Sequence, residues 1–291
     1  MKKVILILSV VALVLTMGLG AFACSNVNQI NFISVVARDY EHYTYTVYAK
    51  GEGDQLAAIG TYTYTFKRLQ ATEGEIAYYI DGHEYSLSSG GVIKTSLSIS
   101  DGQYAGETVT AEVLFQNAYS PIASRKVYNA FKNGTADAER SYTSVIDYTN
   151  KKNIVATVNG EEHSFKKPSY CYDNDTLYSL ARGSDISRDS YALSIAGVDN
   201  LKPGTRTISM AKRVDTVSLD VACMSAEPIA TTCIALTAAA QYGTGTSAYI
   251  YFAPSYRHTD KAGNSVDLNK VPVRIDEGNY VYKLTAISTD E

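Results

Sequence analysis

The chain has 291 residues, of which 45% are hydrophobic and 19% are charged, and its formal net charge is −4. This length and composition provide enough apolar material for a folded core and exclude the disordered and low-complexity classes. The acidic balance argues against a dedicated nucleic-acid binder. The most unusual count is 24 Tyr beside 7 Phe and no Trp.

The first 23 residues have the pattern of a secretory signal peptide. A basic pair, Lys2-Lys3, precedes an apolar run over 4–17, and an Ala-x-Ala cleavage site ends at Ala23. The apolar stretch is almost long enough to span a bilayer, so an uncleaved anchor is the alternative. We expect the protein to work outside the cytoplasm. Cleavage would remove two lysines and no acids, leaving a net charge of −6.

The residue after this site, Cys24, is typical of bacterial lipoproteins, in which the first mature thiol is acylated and tethers the chain to a membrane. Ala23 and Cys24 fit that pattern, whereas Ala21 and Phe22 depart from it. A membrane-anchored lipoprotein and an ordinary secreted protein both stay open. In either case residues 24–37 would form a tether or a first strand, ahead of a single β-rich domain over 38–291.

Beyond this segment the chain is patterned as β-strands. Tyr43–Tyr48 and Ile59–Phe66 alternate with period two on either side of a Gly-rich connection, which predicts an antiparallel hairpin. Asp81-Gly82, Asn133-Gly134 and Asn159-Gly160 are hairpin-type turn dipeptides. Further strand patterns are predicted at 32–37, 76–80, 109–115, 124–131, 141–148, 154–158, 205–210, 216–223, 231–239, 248–252, 271–275 and 280–287.

Helix signals are confined to one part of the chain. Asp173 or Asn174 can cap a helix that ends before Gly183, and a second short helix is predicted over 188–196. A long meander with one or two short helices predicts a mainly β fold. We expect a curled antiparallel sheet, either a half-barrel or an open barrel, with the helices against its concave face.

The tyrosines of the first hairpin share one face of the predicted sheet. Tyr43 and Tyr45 alternate with threonines on the first strand, and Tyr62, Tyr64 and Phe66 do so on the second. If these aromatic rings point inward, they could line a pocket for a lipid-like ligand. Ordinary packing of a solvent-exposed extracellular sheet explains the same pattern and stays open.

Short motifs in the carboxy-terminal half carry a family resemblance. These are Tyr172-Asp173 with Leu177-Tyr178 and Leu180-x-Arg182, then Leu201-Lys202-Pro203-Gly204, then Val271-Pro272-Val273-Arg274-Ile275 with Tyr282-Lys283-Leu284. The chain resembles, over residues 38–288, the bacterial secreted domain-of-unknown-function family numbered 3108. The resemblance implies a cell-envelope protein similar to the lipoprotein-carrier (LolA-like) half-barrel, which holds lipid on its concave face. It implies no catalytic residues.

Cysteine usage fits a compartment outside the cytosol. Cys223 and Cys233 lie in two predicted strands around Pro228, and a cross-strand disulfide between them is one interpretation. Two buried thiols are the other, and Cys171 would be left without a partner.

Sequence motifs typical of catalytic, phosphate-binding or metal-binding sites are missing. The four histidines are isolated, no phosphate loop or Gly-x-Ser-x-Gly motif is present, and Asp173-Asn174-Asp175 is better explained by helix capping than by Ca²⁺ binding. We therefore predict no metal, no cofactor and no catalytic residue.

Two functions remain. The first is a non-enzymatic envelope protein that holds an apolar or amphipathic, lipid-like ligand inside its curled sheet. The second is an extracellular surface module that binds glycan or protein. A membrane partner is expected through Cys24 if this residue is acylated, no nucleic acid is expected, and the oligomeric state is left open.

Overall fold

The computed structural model describes residues 39–184, 190–199, 201–237 and 247–291, and within these ranges the protein is mainly β. The described strands are β1 (Tyr40–Lys50), β2 (Leu56–Gln70), β3 (Ile76–Ile80), β4 (His83–Leu87), β5 (Ser89–Ile99), β6 (Thr108–Gln116), β7 (Ser120–Asn129), β8 (Phe131–Lys132), β9 (Thr135–Ala136), β10 (Tyr142–Asp147), β11 (Asn153–Val158), β12 (Glu161–Lys166), β13 (Cys171–Asp173), β14 (Tyr191–Asp199), β15 (Lys202–Leu219), β16 (Ile229–Thr237), β17 (Ser247–Thr259), β18 (Ser265–Glu277) and β19 (Tyr280–Ser288).

Fifteen of these strands form one sheet, in the order β12-β11-β10-β7-β6-β5-β2-β1-β19-β18-β17-β16-β15-β14-β13. All neighbours are antiparallel except β13 and β14. The order describes two meanders joined at the pairing of β1 with β19, so the first and last described strands lie in the middle of the sheet. The predicted mainly β, mostly antiparallel fold is confirmed.

The sheet curls until strands from its two halves come together. β13 lies beside β7, and β11 lies beside β15. A small apolar cluster fills this junction, with Ile154 and Ala156 from β11, Cys171 from β13 and Ala196 from β14. Because the two ends share no strand pairing in the described chain, side-chain packing holds the curl closed.

One α-helix, α1 (Leu177–Gly183), lies against the concave face and is buried along its whole length. A 3₁₀ turn over Asn174–Thr176 precedes it. Asp173 caps this turn, since its Oδ1 accepts a hydrogen bond of 2.8 Å from the Asp175 amide. The predicted helix, its cap and its end near Gly183 are therefore confirmed.

The second predicted helix is wrong. The described part of 188–196 belongs to β14, which pairs with β15 on one side and β13 on the other. Tyr191, Leu193 and Ile195 are buried at alternate positions on the concave face. This period of two, together with pairing on both sides, outweighs the weak helical pattern.

The predicted hairpin turns form as expected. Asp81-Gly82, Asn133-Gly134 and Asn159-Gly160 all have positive φ at both residues, between 50° and 86°. That geometry belongs to type I′ turns, whose twist matches the flanking strands.

The hairpin β3–β4 packs on the convex face. Its Ile80 and Leu87 cover an apolar patch formed by Val92, Leu114 and Ala123 from β5, β6 and β7. This hairpin therefore covers part of the convex face of β5, β6 and β7.

Candidate functional site

The five residues predicted to bind a ligand lie together on the concave face. Tyr43, Tyr45, Tyr62, Tyr64 and Phe66 are all buried members of the main core. The first four form two cross-strand pairs, Tyr43–Tyr64 and Tyr45–Tyr62, with ring centroids 6.0 and 5.7 Å apart. The aromatic face therefore points inward, which is one of the two orientations that the sequence left open, and α1 lies over it.

Three of these tyrosines form hydrogen bonds within the protein through their hydroxyl groups. Tyr43 donates to Glu41 Oε2 at 2.7 Å, and Tyr45 donates to the Pro272 carbonyl at 2.8 Å. The Tyr64 hydroxyl shares a short hydrogen bond with Ser179 of α1. Burial raises the pKa of all three phenols, so they stay neutral at physiological pH.

A buried ion pair lies beside these rings. Arg182 of α1 contacts Glu41 of β1, and the two side chains are 4% and 0% exposed. Arg182 also donates to the Asn269 carbonyl at 2.8 and 3.1 Å, and its guanidinium lies 5.9 Å from the Tyr43 ring. This network fastens α1 to the sheet from inside.

Little space remains between helix and sheet. The cavity bordered by Tyr45, Tyr62, Tyr64, Tyr178 and Arg182 has a volume of about 10 Å³. That is about the space that one water molecule needs. The five predicted residues thus belong to a packed core, and the space between their rings and α1 is too small for a lipid-like ligand.

A second polar cluster closes the seam between the two ends of the sheet. Tyr148, which follows β10, donates to Asp173 Oδ2 at 2.6 Å. Lys126 Nζ lies 2.9 Å from Asp175 Oδ1. Burial, then the charge of Asp175, raises the pKa of Asp173 to about 6. Capping and ion pairing account for these acids, and the described residues contain no group of three or more metal-ligating side chains.

The described cysteines are not joined to one another. All the described cysteines, Cys223 and Cys233 among them, are free thiols. β15 ends at Leu219, so the connection to β16 contains Cys223, whereas Cys233 pairs with Arg213 well inside the hairpin. Of the two arrangements that the sequence left open, the structure has free thiols, because the turn begins before Cys223 and the two cysteines are not register partners.

The convex face carries rows of hydroxyl groups. Thr44, Thr63, Ser96 and Thr110 are register partners across β1, β2, β5 and β6. A neighbouring row consists of Thr46, Thr61, Ser98 and Thr108 on the same strands. The threonines that alternate with the buried tyrosines thus form a continuous hydroxyl surface.

An open groove of about 280 Å³ crosses this surface. We call it the outer groove. The side chains that line it include those of Thr63, Thr65, Lys94, Ser96, Thr110, Glu112 and Arg125. The volume is near the lower end of the range for ligand sites, about 300–1,000 Å³. None of these residues was predicted as a site from the sequence, although the alternation of Thr with Tyr was the available signal.

Charged side chains define one end of the outer groove. Lys94 Nζ lies 2.8 Å from Glu112 Oε1, and the hydrogen bond to Glu112 raises the pKa of Lys94, which keeps its ammonium charged. Two contacts join the hairpin β3–β4 to this end: Tyr78 donates to Glu112 at 2.6 Å, and Arg125 donates to Asp81 at 3.1 Å. The groove therefore combines neutral hydroxyls with fixed charges of both signs.

A larger concavity of about 390 Å³ lies where β14 turns into β15. Gly197 and Gly204 form part of its wall, and Arg206 donates to Asn174 Oδ1 across it. The lining of this concavity contains one hydroxyl side chain, that of Thr205, whereas the outer groove has hydroxyls in register across its floor.

The predicted signal peptide and Cys24 lie outside the described residues. Within the described chain, no helix has the length and apolar character needed to cross a bilayer.

No protein-family model matches the chain, and no curated protein matches it. Among solved structures, the chain is similar to the β-barrel-like protein of the domain of unknown function DUF1849 from Brucella abortus. The TM-score is 0.48, with 8% identity over 88% of this chain and 100% of that one. The relation to the family numbered 3108 stays a prediction.

Proposed function

We propose that this protein is a non-enzymatic surface module that works outside the cytoplasm and binds a segment of a glycan in the outer groove. The proposal takes the second of the two functions expected from the sequence. A lipid-like ligand inside the sheet stays a prediction, and the cavity of about 10 Å³ beside the tyrosines does not favour it.

The observation that carries the proposal is the outer groove itself. Thr63, Ser96 and Thr110 present three hydroxyls in register across its floor. Each hydroxyl can donate one hydrogen bond and accept two, as each sugar hydroxyl can. A row of such groups at the spacing of adjacent strands, about 4.8 Å, suits a chain of hydroxyl-bearing rings.

The charged end of the groove gives a bound glycan a defined orientation. Glu112 can accept from sugar hydroxyls, while Lys94 and Arg125 can donate to hydroxyls or to the carboxylate of an acidic sugar. Their present partners fix these side chains in place before any ligand arrives. Preorganised polar groups lose less side-chain entropy on binding.

Glycan panels probed with the purified protein test this function, followed by titration of the best oligosaccharide. We expect Thr63→Val/Ser96→Ala/Thr110→Val to reduce affinity at least about tenfold, which corresponds to about 1.4 kcal/mol. Removing three hydroxyls leaves the sugar hydroxyls without partners while the backbone is unchanged.

A matched control variant is Thr46→Val/Thr61→Val/Thr108→Val. It changes the same kind of side chain on the same strands, in the row outside the groove. We expect it to bind as the unmodified protein does. Equal affinity for both triple variants, or a panel without any bound glycan, would contradict the proposal, and an extracted lipid would favour the first function instead.

A further inference from the structure

The edge strand β12 is the starting point for an inference beyond glycan binding. In the described part of the chain, β12 is the terminal strand of the fifteen-stranded sheet and pairs only with β11. Its residues alternate between half-buried His163 and Phe165 and exposed Glu162, Ser164 and Lys166. An exposed edge of this kind is a template for pairing with another strand.

The backbone of β12 defines which residues can pair outward. The Lys167 amide donates to the Lys152 carbonyl at 2.8 Å, a bond directed toward β11. Because hydrogen-bonding direction alternates along an antiparallel strand, the odd-numbered residues of β12 face β11. The amide and carbonyl groups of Glu162, Ser164 and Lys166 therefore point away from the sheet.

We propose that β12 joins a second copy of this chain, antiparallel and edge to edge, about a two-fold axis through Ser164. A two-fold axis normal to the sheet leaves the same face of both copies on the same side. Residues that lie opposite each other are then both even-numbered or both odd-numbered. With Ser164 on the axis, Glu162 of each copy lies opposite Lys166 of the other. The outward backbone groups of all three positions then bond across the axis.

Charge complementarity selects this register among those that the backbone permits. A shift of the axis to His163 places Glu162 opposite Ser164, and a shift to Phe165 places Ser164 opposite Lys166. Only the register centred on Ser164 opposes acid and base, and symmetry produces that pair twice. The strand is short and the buried area small, so the dimer exchanges with monomer at micromolar concentrations.

Sedimentation velocity tests this inference. It is measured on the protein in the form that its host produces, at protein concentrations from about 5 to 500 μM. We expect a reversible monomer–dimer equilibrium. Glu162→Lys and Lys166→Glu alone each turn two attractions into two repulsions and should raise the dissociation constant at least about tenfold. The double variant Glu162→Lys/Lys166→Glu restores opposite charges and should restore the dimer.

Two further variants separate charge from folding. Glu73→Lys makes the same charge change at an exposed position between β2 and β3 and should leave the equilibrium unchanged. Ser164→Pro removes an outward amide and should abolish the dimer. A monomer at all concentrations, a dimer insensitive to the single reversals, or a double variant that fails to recover would overturn the proposal. Thermal melting confirms that each variant is folded, since exposed substitutions change stability by only about 0.5 kcal/mol.

Discussion

The two faces of β1 and β2 differ completely in what their side chains contact, although the residues alternate along the same strands. On the concave face the Tyr45 and Tyr62 rings pack together beside Tyr178 of α1, Tyr45 donates to the Pro272 carbonyl, and almost no space is left. On the convex face Thr44 and Thr63 lie in rows that face solvent beside an open groove. The comparison teaches that one alternating sequence can supply a core and a binding surface together.

The largest effect is expected from breaking the buried ion pair inside the curl. Arg182→Ala leaves Glu41 charged and enclosed, so the free energy of unfolding should fall by about 3–5 kcal/mol. Urea denaturation measures the change. The double variant Arg182→Met/Glu41→Gln removes both charges and should recover much of that loss. A single variant that loses less than about 1 kcal/mol would show that the pair does not hold α1.

A smaller effect concerns the seam that closes the curl. The pKa of Asp173 is raised from 3.8 to about 6 by burial, so the folded state favours the protonated acid. The resulting stability is fully present below pH 4 and is lost as the pH rises through 6, at most about 3 kcal/mol. Asp175, Lys126 and Tyr148 face this carboxyl, and Lys126 remains charged over that range.

Asp173→Asn is the matched variant, because it does not titrate and its amide oxygen can still accept from the Asp175 amide. The Tyr148 hydroxyl, which donates to the other carboxylate oxygen, can instead accept from the amide nitrogen. Denaturation at pH 4 and pH 7 should show that the decline in stability between these values is shallower in the variant than in the unmodified protein. Identical pH dependence would mean that Asp173 titrates alike in the folded and unfolded chains.

A still smaller effect compares adjacent residues on opposite faces of β1. Tyr45→Phe removes a buried hydrogen bond to the Pro272 carbonyl and should cost about 1 kcal/mol. Thr46→Val removes a hydroxyl on the convex face and should change stability by no more than about 0.5 kcal/mol. Thermal and urea unfolding measure the stability of the two variants. Equal losses of stability in both would contradict the prediction.

The smallest effect on stability is expected at the charged end of the outer groove. The Lys94 side chain is 58% exposed, so its ion pair with Glu112 contributes less than about 1 kcal/mol to folding. Lys94→Met should therefore melt almost as the unmodified protein does while weakening binding of acidic oligosaccharides. Unchanged affinity for those sugars would remove Lys94 from the proposed site.

Local patterns allowed much of the fold to be predicted. Period-two alternation marked the strands, Asn-Gly and Asp-Gly marked the type I′ turns, and Asp173 marked the cap before α1. These features depend on residues close in sequence. The helix predicted over 188–196 failed because pairing of β14 with two neighbours, which local sequence does not record, decided its structure.

The candidate site was harder to predict for the same reason. Alternation indicates which residues share a face but not how much space that face encloses. The near absence of free space beside Tyr62 could therefore not be predicted. The outer groove depends on the register of four strands and on the hairpin β3–β4 beside them. The sequence could not decide between a Cys223–Cys233 disulfide and free thiols for a similar reason, because it does not fix where the hairpin turn begins.

One paired measurement tests most directly whether the concave face supplies stability and the convex face supplies binding. Unfolding free energy and oligosaccharide affinity are measured together for Tyr45→Phe and for Thr63→Val/Ser96→Ala/Thr110→Val. We predict that the tyrosine variant loses stability and keeps its affinity, whereas the triple variant loses affinity and keeps its stability. The reverse result, or affinity lost from the tyrosine variant alone, would contradict the account and return the ligand to the concave face.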